Sequence, residues 1–179
     1  MEIIIENLFI RLRSASMQDA SELFAVSTDE DVMKYYGIEP YNNIKEAEDE
    51  IKWFLSLAEE CQGVRWVIAD LTTNQYVGDI GLFHYHSRHN RVEIGFKLKK
   101  EYWNKGIMTA CINKALDYGF LNQNYNRIEA LVDTRNLGCK RTLQKCGFLF
   151  EGVLRDYEFE REGYVDLEMY SILRNDYNK

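Results

Sequence analysis

The residues best placed to do chemistry lie around Gly106. An alternating run, Glu93-Ile94-Gly95-Phe96-Lys97-Leu98, leads through Lys99 to Lys105 into Gly106, after which the apolar residues take up helical spacing. The first turn of a helix carries unpaired backbone N–H groups at the positive end of its dipole, a natural seat for phosphate. Glycine there removes a side chain where the backbone must approach a ligand. Lys99, Lys100 and Lys105 gather positive charge at the junction. The same residues also describe a plain strand-to-helix turn with surface lysines. Asn136, a favoured N-cap type, opens a second short helix. His84, His86 and His89 fall close together, and His84 and His86 share a strand face, yet no fourth ligand stands nearby and no metal site is expected.

The elements that must hold these residues follow from the apolar pattern. Leu8 to Arg13 alternates as a first strand. Ser16 with Asp19 three residues on forms a capping box opening a helix that carries Leu23, Phe24 and Val26. Asp29 to Tyr41 is irregular and tyrosine-rich, and a helix from Ile44 to Glu60 follows, with Ile51, Phe54, Leu55 and Ala58 as its apolar stripe. Val64–Leu71 and Tyr76–Tyr85 read as a hairpin through Thr72 to Gln75, and Arg91–Leu98 as the next strand. Ile107–Phe120 is helical, with Met108, Cys111, Ile112, Ala115 and Leu116 on one face. Arg127–Asp133 is a strand, and Asn136–Cys146 a helix stopped by Gly147. Phe148–Phe159 and Tyr164–Leu173 close the chain as a hairpin about Glu160 to Gly163. One strand–helix–strand unit between antiparallel hairpins predicts an α/β fold with a mixed sheet.

Composition narrows the function classes. The chain has 179 residues, enough for one domain over 1–179, and is 46% hydrophobic and 28% charged. A net charge of -7 argues against nucleic acid as the main partner, since phosphate neutralisation needs a broad basic surface. It also favours approach of a cationic amine. No uncharged apolar run reaches membrane-spanning length, so no membrane partner is expected. Cys61, Cys111, Cys139 and Cys146 form no Cys-x-x-Cys pair, and Met1 to Glu6 is too short and too acidic for a secretory signal. The expectation is a cytoplasmic protein with reduced thiols.

Five segments in register resemble the GNAT superfamily of acyl-CoA N-acyltransferases. Trp103-x-x-Gly106-x-Met108 between strand and helix is similar to its acetyl-CoA motif, with the tryptophan seen in the RimJ/RimL-type branch. Asn136-Leu137-Gly138-Cys139-Lys140-Arg141-Thr142-Leu143-Gln144-Lys145-Cys146-Gly147-Phe148 resembles that branch's next motif. Ile10 to Arg13 with Asp19-Ala20, Glu151 to Asp156, and Asp166 to Leu173 resemble its entry and closing hairpin. Two departures stand out: Met108 replaces the usual Gly or Ala, and Leu143 occupies the place of a tyrosine that protonates the leaving thiolate in many members.

The resemblance implies a mixed, mostly antiparallel sheet of about six or seven strands with a central splay, flanked by about four helices. It implies acetyl-CoA as co-substrate, no metal, and direct transfer to a primary amine in a ternary complex. Phe96, Lys97, Leu98, Trp103, Asn104, Lys105, Gly106, Ile107, Met108, Thr109 and Asn136 are the expected CoA-binding residues. Tyr35, Tyr36 and Tyr41 are expected on the acceptor side, where ordinary aromatic packing is the alternative. Glu93, on the face opposite Val92, Ile94 and Phe96, is the candidate base, directly or through a water; a carboxylate of ordinary pKa near 4 is a poor base for an ammonium, and a solvated strand carboxylate is the alternative. Cys139 is the candidate proton donor to the thiolate, against a packing role with Leu143 and Cys146. The branch implies the α-amine of a protein N-terminus as acceptor, with small-molecule amines such as polyamines or antibiotics, or a non-catalytic CoA sensor, as alternatives. A monomer or homodimer is expected.

Overall fold

A computed structural model describes residues 3–160 and 163–177. Its frame is one eight-stranded sheet in the order β1-β2-β3-β4-β5-β6-β8-β7. The strands are β1 (Ile3–Ile5), β2 (Ile10–Ser14), β3 (Val64–Asp70), β4 (Tyr76–His86), β5 (Arg91–Leu98), β6 (Arg127–Asp133), β7 (Leu149–Glu160) and β8 (Gly163–Leu173). Every pairing is antiparallel except β5 with β6. That exception is the crossover the helical stretch after Gly106 demands. The helices are α1 (Ala20–Ser27), α2 (Glu30–Met33), α3 (Ile44–Glu59), α4 (Ile107–Asp117), α5 (Leu137–Lys145) and α6 (Arg174–Tyr177).

Several expectations shift in detail. The extra strand is β1, three isoleucines too short to show a period, paired to β2 with Ile3 opposite Leu12. The tyrosine-rich stretch holds the one-turn helix α2, capped by Asp29, whose carboxylate accepts from the amides of Asp31 and Val32. On α3 the buried stripe is Ala47, Ile51, Phe54 and Leu57, while Leu55 is 41% exposed and Ala58 is exposed, so the seam runs one residue away from the expected one. Arg161 and Glu162 of the closing turn, and Met1 and Glu2 of the leading segment, lie outside the described residues.

Two apolar layers sandwich the sheet. On one face Cys111, Ile112, Ala115 and Leu116 of α4 and Leu143 of α5 pack on Ile68, Ile80, Leu82, Val92 and Ile128. On the other, Leu23 and Val26 of α1 and Ile51 and Phe54 of α3 pack on Val67 and Ala69. Each fully buried Leu, Ile or Phe contributes about 1.5–3 kcal/mol, which holds both helical pairs to the sheet against their ordering entropy. The helix ends behave as their residues dictate. The Ser16 amide donates to the Asp19 carboxylate at 2.8 Å. Gly147 (φ 88°) closes α5, with its amide on the Gln144 carbonyl and that of Phe148 on Leu143.

Candidate active site

The one parallel pairing is short. Arg91 to Glu93 pair with Arg127 to Glu129, and beyond them the strands part. Ile94 to Leu98 and Ala130 to Asp133 therefore face each other across a gap that opens into a cleft of about 900 Å³. The splay expected between these strands is present, and along it β5 offers backbone groups that no strand takes up. The gap leads to the N-terminus of α4. Gly106 caps it at φ 77°, close behind Asn104 at φ 59°. A Cβ on Gly106 would meet nothing within 4 Å, so its left-handed backbone, not crowding, calls for glycine, and open space lies in front of it. The first intrahelical bond is from the Ala110 amide to the Gly106 carbonyl, which leaves the amides of Ile107, Met108 and Thr109 for a ligand. Trp103 fixes the loop by donating its indole N–H to the Leu98 carbonyl at 2.8 Å.

Each expected CoA-binding residue lines this cleft, from Phe96, Lys97 and Leu98 through Trp103 to Thr109, and Asn136 on the opposite wall. Asn136 caps α5 as expected, accepting from the Cys139 amide at 3.0 Å. The lysine reading needs correction. Lys99 is bound to Glu22 of α1 at 2.5 Å and Lys100 to Asp31 of α2, so neither lines the cleft. The cations beside the α4 terminus are Lys105, lying over the Tyr102 ring, and Lys145 of α5.

The far arm of the cleft is lined by Tyr35, Tyr36, Tyr41, Trp53, Phe83, Glu46 and Glu50, with Glu158 and Glu160 of the edge strand β7. The three tyrosines are brought together here, but two hydroxyls are already committed. Tyr36 accepts from Arg65 at 2.6 Å, and Tyr41 donates to Glu50 at 2.8 Å. Burial drives both phenols up, so they stay neutral. Beneath them lies a buried charged network. Arg65 donates Nε to Asp79 at 2.8 Å, and Lys97 donates to Glu50 at 2.8 Å and stands 3.9 Å from Asp79. Tyr76 also donates to Asp79, and the Arg65 guanidinium lies against Phe54, Phe83 and Trp53. Burial would discharge Arg65 and Lys97, but the neighbouring Asp79, Tyr36 and Glu50 outweigh it and raise both pKa values. Lys97 thus gives its backbone to the splay and its side chain to the floor of the other arm. Arg65, Asp79 and Glu50 escaped the sequence reading. The available signal was a lone charge inside an apolar strand, as in Val64-Arg65-Trp66 and Gly78-Asp79-Ile80.

Glu93 stands where the two arms meet, half-buried, its carboxylate 3.3 Å from Nδ1 of His84. A β-bulge between Phe83 and His86 parts the histidines: His84 takes a left-handed φ of 55° and turns to Glu93, while His86 stacks on His89. Among the described residues no group of three or more His, Cys, Asp or Glu could hold a metal ion. Glu158 is raised above the ordinary carboxylate range by burial and by the charges of Glu160 and Glu93. Cys139 lines the cleft on α5, and burial pushes its thiol up to about 12, so it keeps its proton at neutral pH. Among the described residues no helix is long and apolar enough to cross a membrane.

Comparison with known proteins matches residues 10–149 to the acetyltransferase (GNAT) domain family. The uncharacterized N-acetyltransferase YoaA of Bacillus subtilis is 36% identical over 171 residues, 96% of this chain and 97% of that protein. Spermidine N(1)-acetyltransferase of Vibrio cholerae is 28% identical over 96% of both chains. The crystal structure of spermidine N-acetyltransferase from Vibrio cholerae in complex with CoA and spermine superposes with a TM-score of 0.83 at 25% identity, covering 96% of this chain and 99% of that one.

Proposed function

This chain belongs to the GNAT acetyltransferase family and is an acetyl-CoA-dependent N-acetyltransferase, and we propose that its acceptor is the primary amine of a small polycation. The observation that carries this reading is the acidic rim of the far arm. Burial raises Glu158, the charges of Glu160 and Glu93 raise it further, and the rings of Tyr35, Tyr36 and Trp53 line the same arm. Like-charge crowding of this kind is relieved by a bound cation. The acceptors named for the spermidine acetyltransferases fit the same description.

In this reading residues 1–179 work as one transferase domain. The pantetheine arm lies in the splay along Phe96 to Leu98, and the pyrophosphate rests on the free amides at Ile107 to Thr109. The ammonium gives up a proton through Glu93, the free amine attacks the thioester carbonyl, and a backbone N–H of the splayed β5 steadies the oxyanion. As the C–S bond breaks, the second nitrogen proton ends on the CoA sulfur. Cys139, held protonated, offers its S–H to that sulfur where Leu143 can offer nothing.

A thiol-release assay across polyamines, aminoglycosides and peptides with a free N-terminus tests the acceptor. Polyamines should give the highest kcat/KM, falling with ionic strength as a salt-screened encounter does. Glu158→Gln should raise their KM about 3- to 10-fold, the equivalent of ~1 kcal/mol for one partly exposed charge pair. The second reading, transfer to a protein N-terminal α-amine, is favoured by the RimJ/RimL-like Trp103 and Asn136–Phe148 segments. A higher kcat/KM for N-terminal peptides than for any polyamine would establish it instead.

A further inference from the structure

Glu93 has a second titratable side chain against it, His84. A carboxylate carries no hydrogen to give, so the 3.3 Å contact between Glu93 Oε2 and His84 Nδ1 is held by a proton on Nδ1. In the neutral ring, Nδ1–H then donates to Glu93 and the other ring nitrogen, Nε2, presents a lone pair. The ring is 64% exposed and lines the cleft where its two arms meet. The backbone is bent to put it there. His84 adopts φ 55° beside a β-bulge, an uncommon conformation of the kind that re-aims a side chain.

We infer that His84 is the general base for the acceptor amine and that Glu93 is its positioning residue, an inference resting on the reading of Glu93 given above. The ammonium transfers one proton to Nε2 of His84, forming an imidazolium steadied by the Glu93 carboxylate. The amine nitrogen then bonds to the acetyl carbon as the C–S bond breaks, and its second proton ends on the CoA sulfur. The imidazolium returns its proton to water, to which it is open. A histidine suits this task better than a carboxylate, because a base near the working pH combines the right protonation state with useful driving force. The charges around the pair favour the cationic intermediate. Glu158 of β7 interacts with Glu93, and Glu160 beside it is paired with Arg135 at 3.4 Å. Glu129, opposite Glu93 on β6, is held by Arg91 and Arg127, and Arg65 of β3 is bound to Asp79.

The test uses the full chain, acetyl-CoA and the best acceptor from the amine screen. His84→Asn keeps a residue that tolerates the left-handed backbone while removing the base. It should lower kcat/KM about 100-fold at pH 7. It should move the acid limb of the pH profile upward, toward the range where the acceptor amine loses its own proton, and leave the melting temperature and CoA affinity unchanged. The deficit should narrow to within about tenfold near pH 9.5, where more of the acceptor arrives as free amine, and added imidazole should restore part of the rate to His84→Ala. A His84→Asn profile parallel to wild type at every pH, with no imidazole rescue, overturns the inference. If that result comes with a slow Glu93→Gln enzyme, Glu93 remains the base on its own; if Glu93→Gln also runs at full rate, the earlier reading of Glu93 falls with it.

Discussion

Replacing Asp79 by asparagine isolates what the buried charges under the acceptor arm do for the fold. The side chains of Asp79, Arg65 and Lys97 are 0%, 2% and 1% exposed, and Glu50 is 10% exposed. Two cations are thus balanced by two anions out of water. Asp79→Asn keeps the shape and one acceptor oxygen for the Arg65 Nε–H, but leaves two buried cations facing one carboxylate. Breaking a buried pair in this way costs about 3–5 kcal/mol, because the remaining charge is desolvated without compensation. At about 2–4 °C per kcal/mol for a chain of this length, the melting temperature should fall by roughly 6–20 °C.

Urea unfolding followed by circular dichroism is the direct measurement, with a lowered midpoint at unchanged slope as the expected pattern. The control is the double variant Asp79→Asn/Lys97→Met, which removes one cation along with the anion. It should recover at least ~1 kcal/mol relative to the sum of the single changes, since residues in one network do not add. A loss under ~1 kcal/mol for Asp79→Asn, or strict additivity in the double variant, would refute the idea that charge balance stabilises this site. CoA affinity should survive in Asp79→Asn, because among the described residues no hydrogen bond or ion pair joins the α4 terminus to the network, whereas acceptor KM should rise as Arg65, which donates to Tyr36, loses its anchor on Asp79.

Gly106→Asp should weaken CoA binding at least tenfold by calorimetry, since it strains the left-handed cap and sets like charge before the pyrophosphate, while Gly106→Asn should bind better than the aspartate. Thiol labelling at pH 8 should be fast at exposed Cys61 alone. Burial pushes Cys111 and Cys139 up to about 12 and Cys146 up to about 11, so only about 10⁻⁴ to 10⁻³ of each is thiolate; rapid native labelling of all four would contradict this. Hydrogen bonds from Arg127 lower Glu151 to about 2. Its contribution is therefore present above pH ~4.5 and lost as pH falls toward ~2. Glu151→Gln should flatten acid unfolding in that window by less than ~1 kcal/mol, because the carboxylate is 41% exposed.

The donor half of the site was legible because it is written in local backbone rules. Gly106 and Gly147 occupy left-handed positions, and Asn136 and Ser16 with Asp19 cap helices as their types and spacing require. The splay, which the family resemblance implies, opens where the one parallel pairing ends after Glu93 and Glu129. What stayed hidden depends on distance along the chain. Lys97 finds Glu50 across 47 residues, and Lys99 finds Glu22 across 77. No spacing rule reports such pairs, and sequence proximity to Gly106 alone suggests a phosphate role for Lys99, which instead ties the end of β5 to α1. The bulge that turns His84 toward Glu93 was equally hidden, since alternation alone places His84 and His86 on one face.

The acceptor half is built in two tiers with different freedom to change. Glu50, Arg65, Asp79 and Lys97 are buried in a balanced set, so any one of them can change only with a large loss of stability unless a partner changes too. Glu158 and Glu160 sit instead on β7, the edge strand, half-buried and outside that balanced set, with Glu160 paired to Arg135. The buried tier therefore sets the shape and rigidity of the arm, and the edge tier sets the charge that an acceptor meets. In the proposed reading, acceptor preference can then be retuned from β7 without touching the α4 terminus assigned to the donor. This separation is why motifs around Gly106 identify the acetyl donor while the acceptor must be read from strand positions that no motif marks.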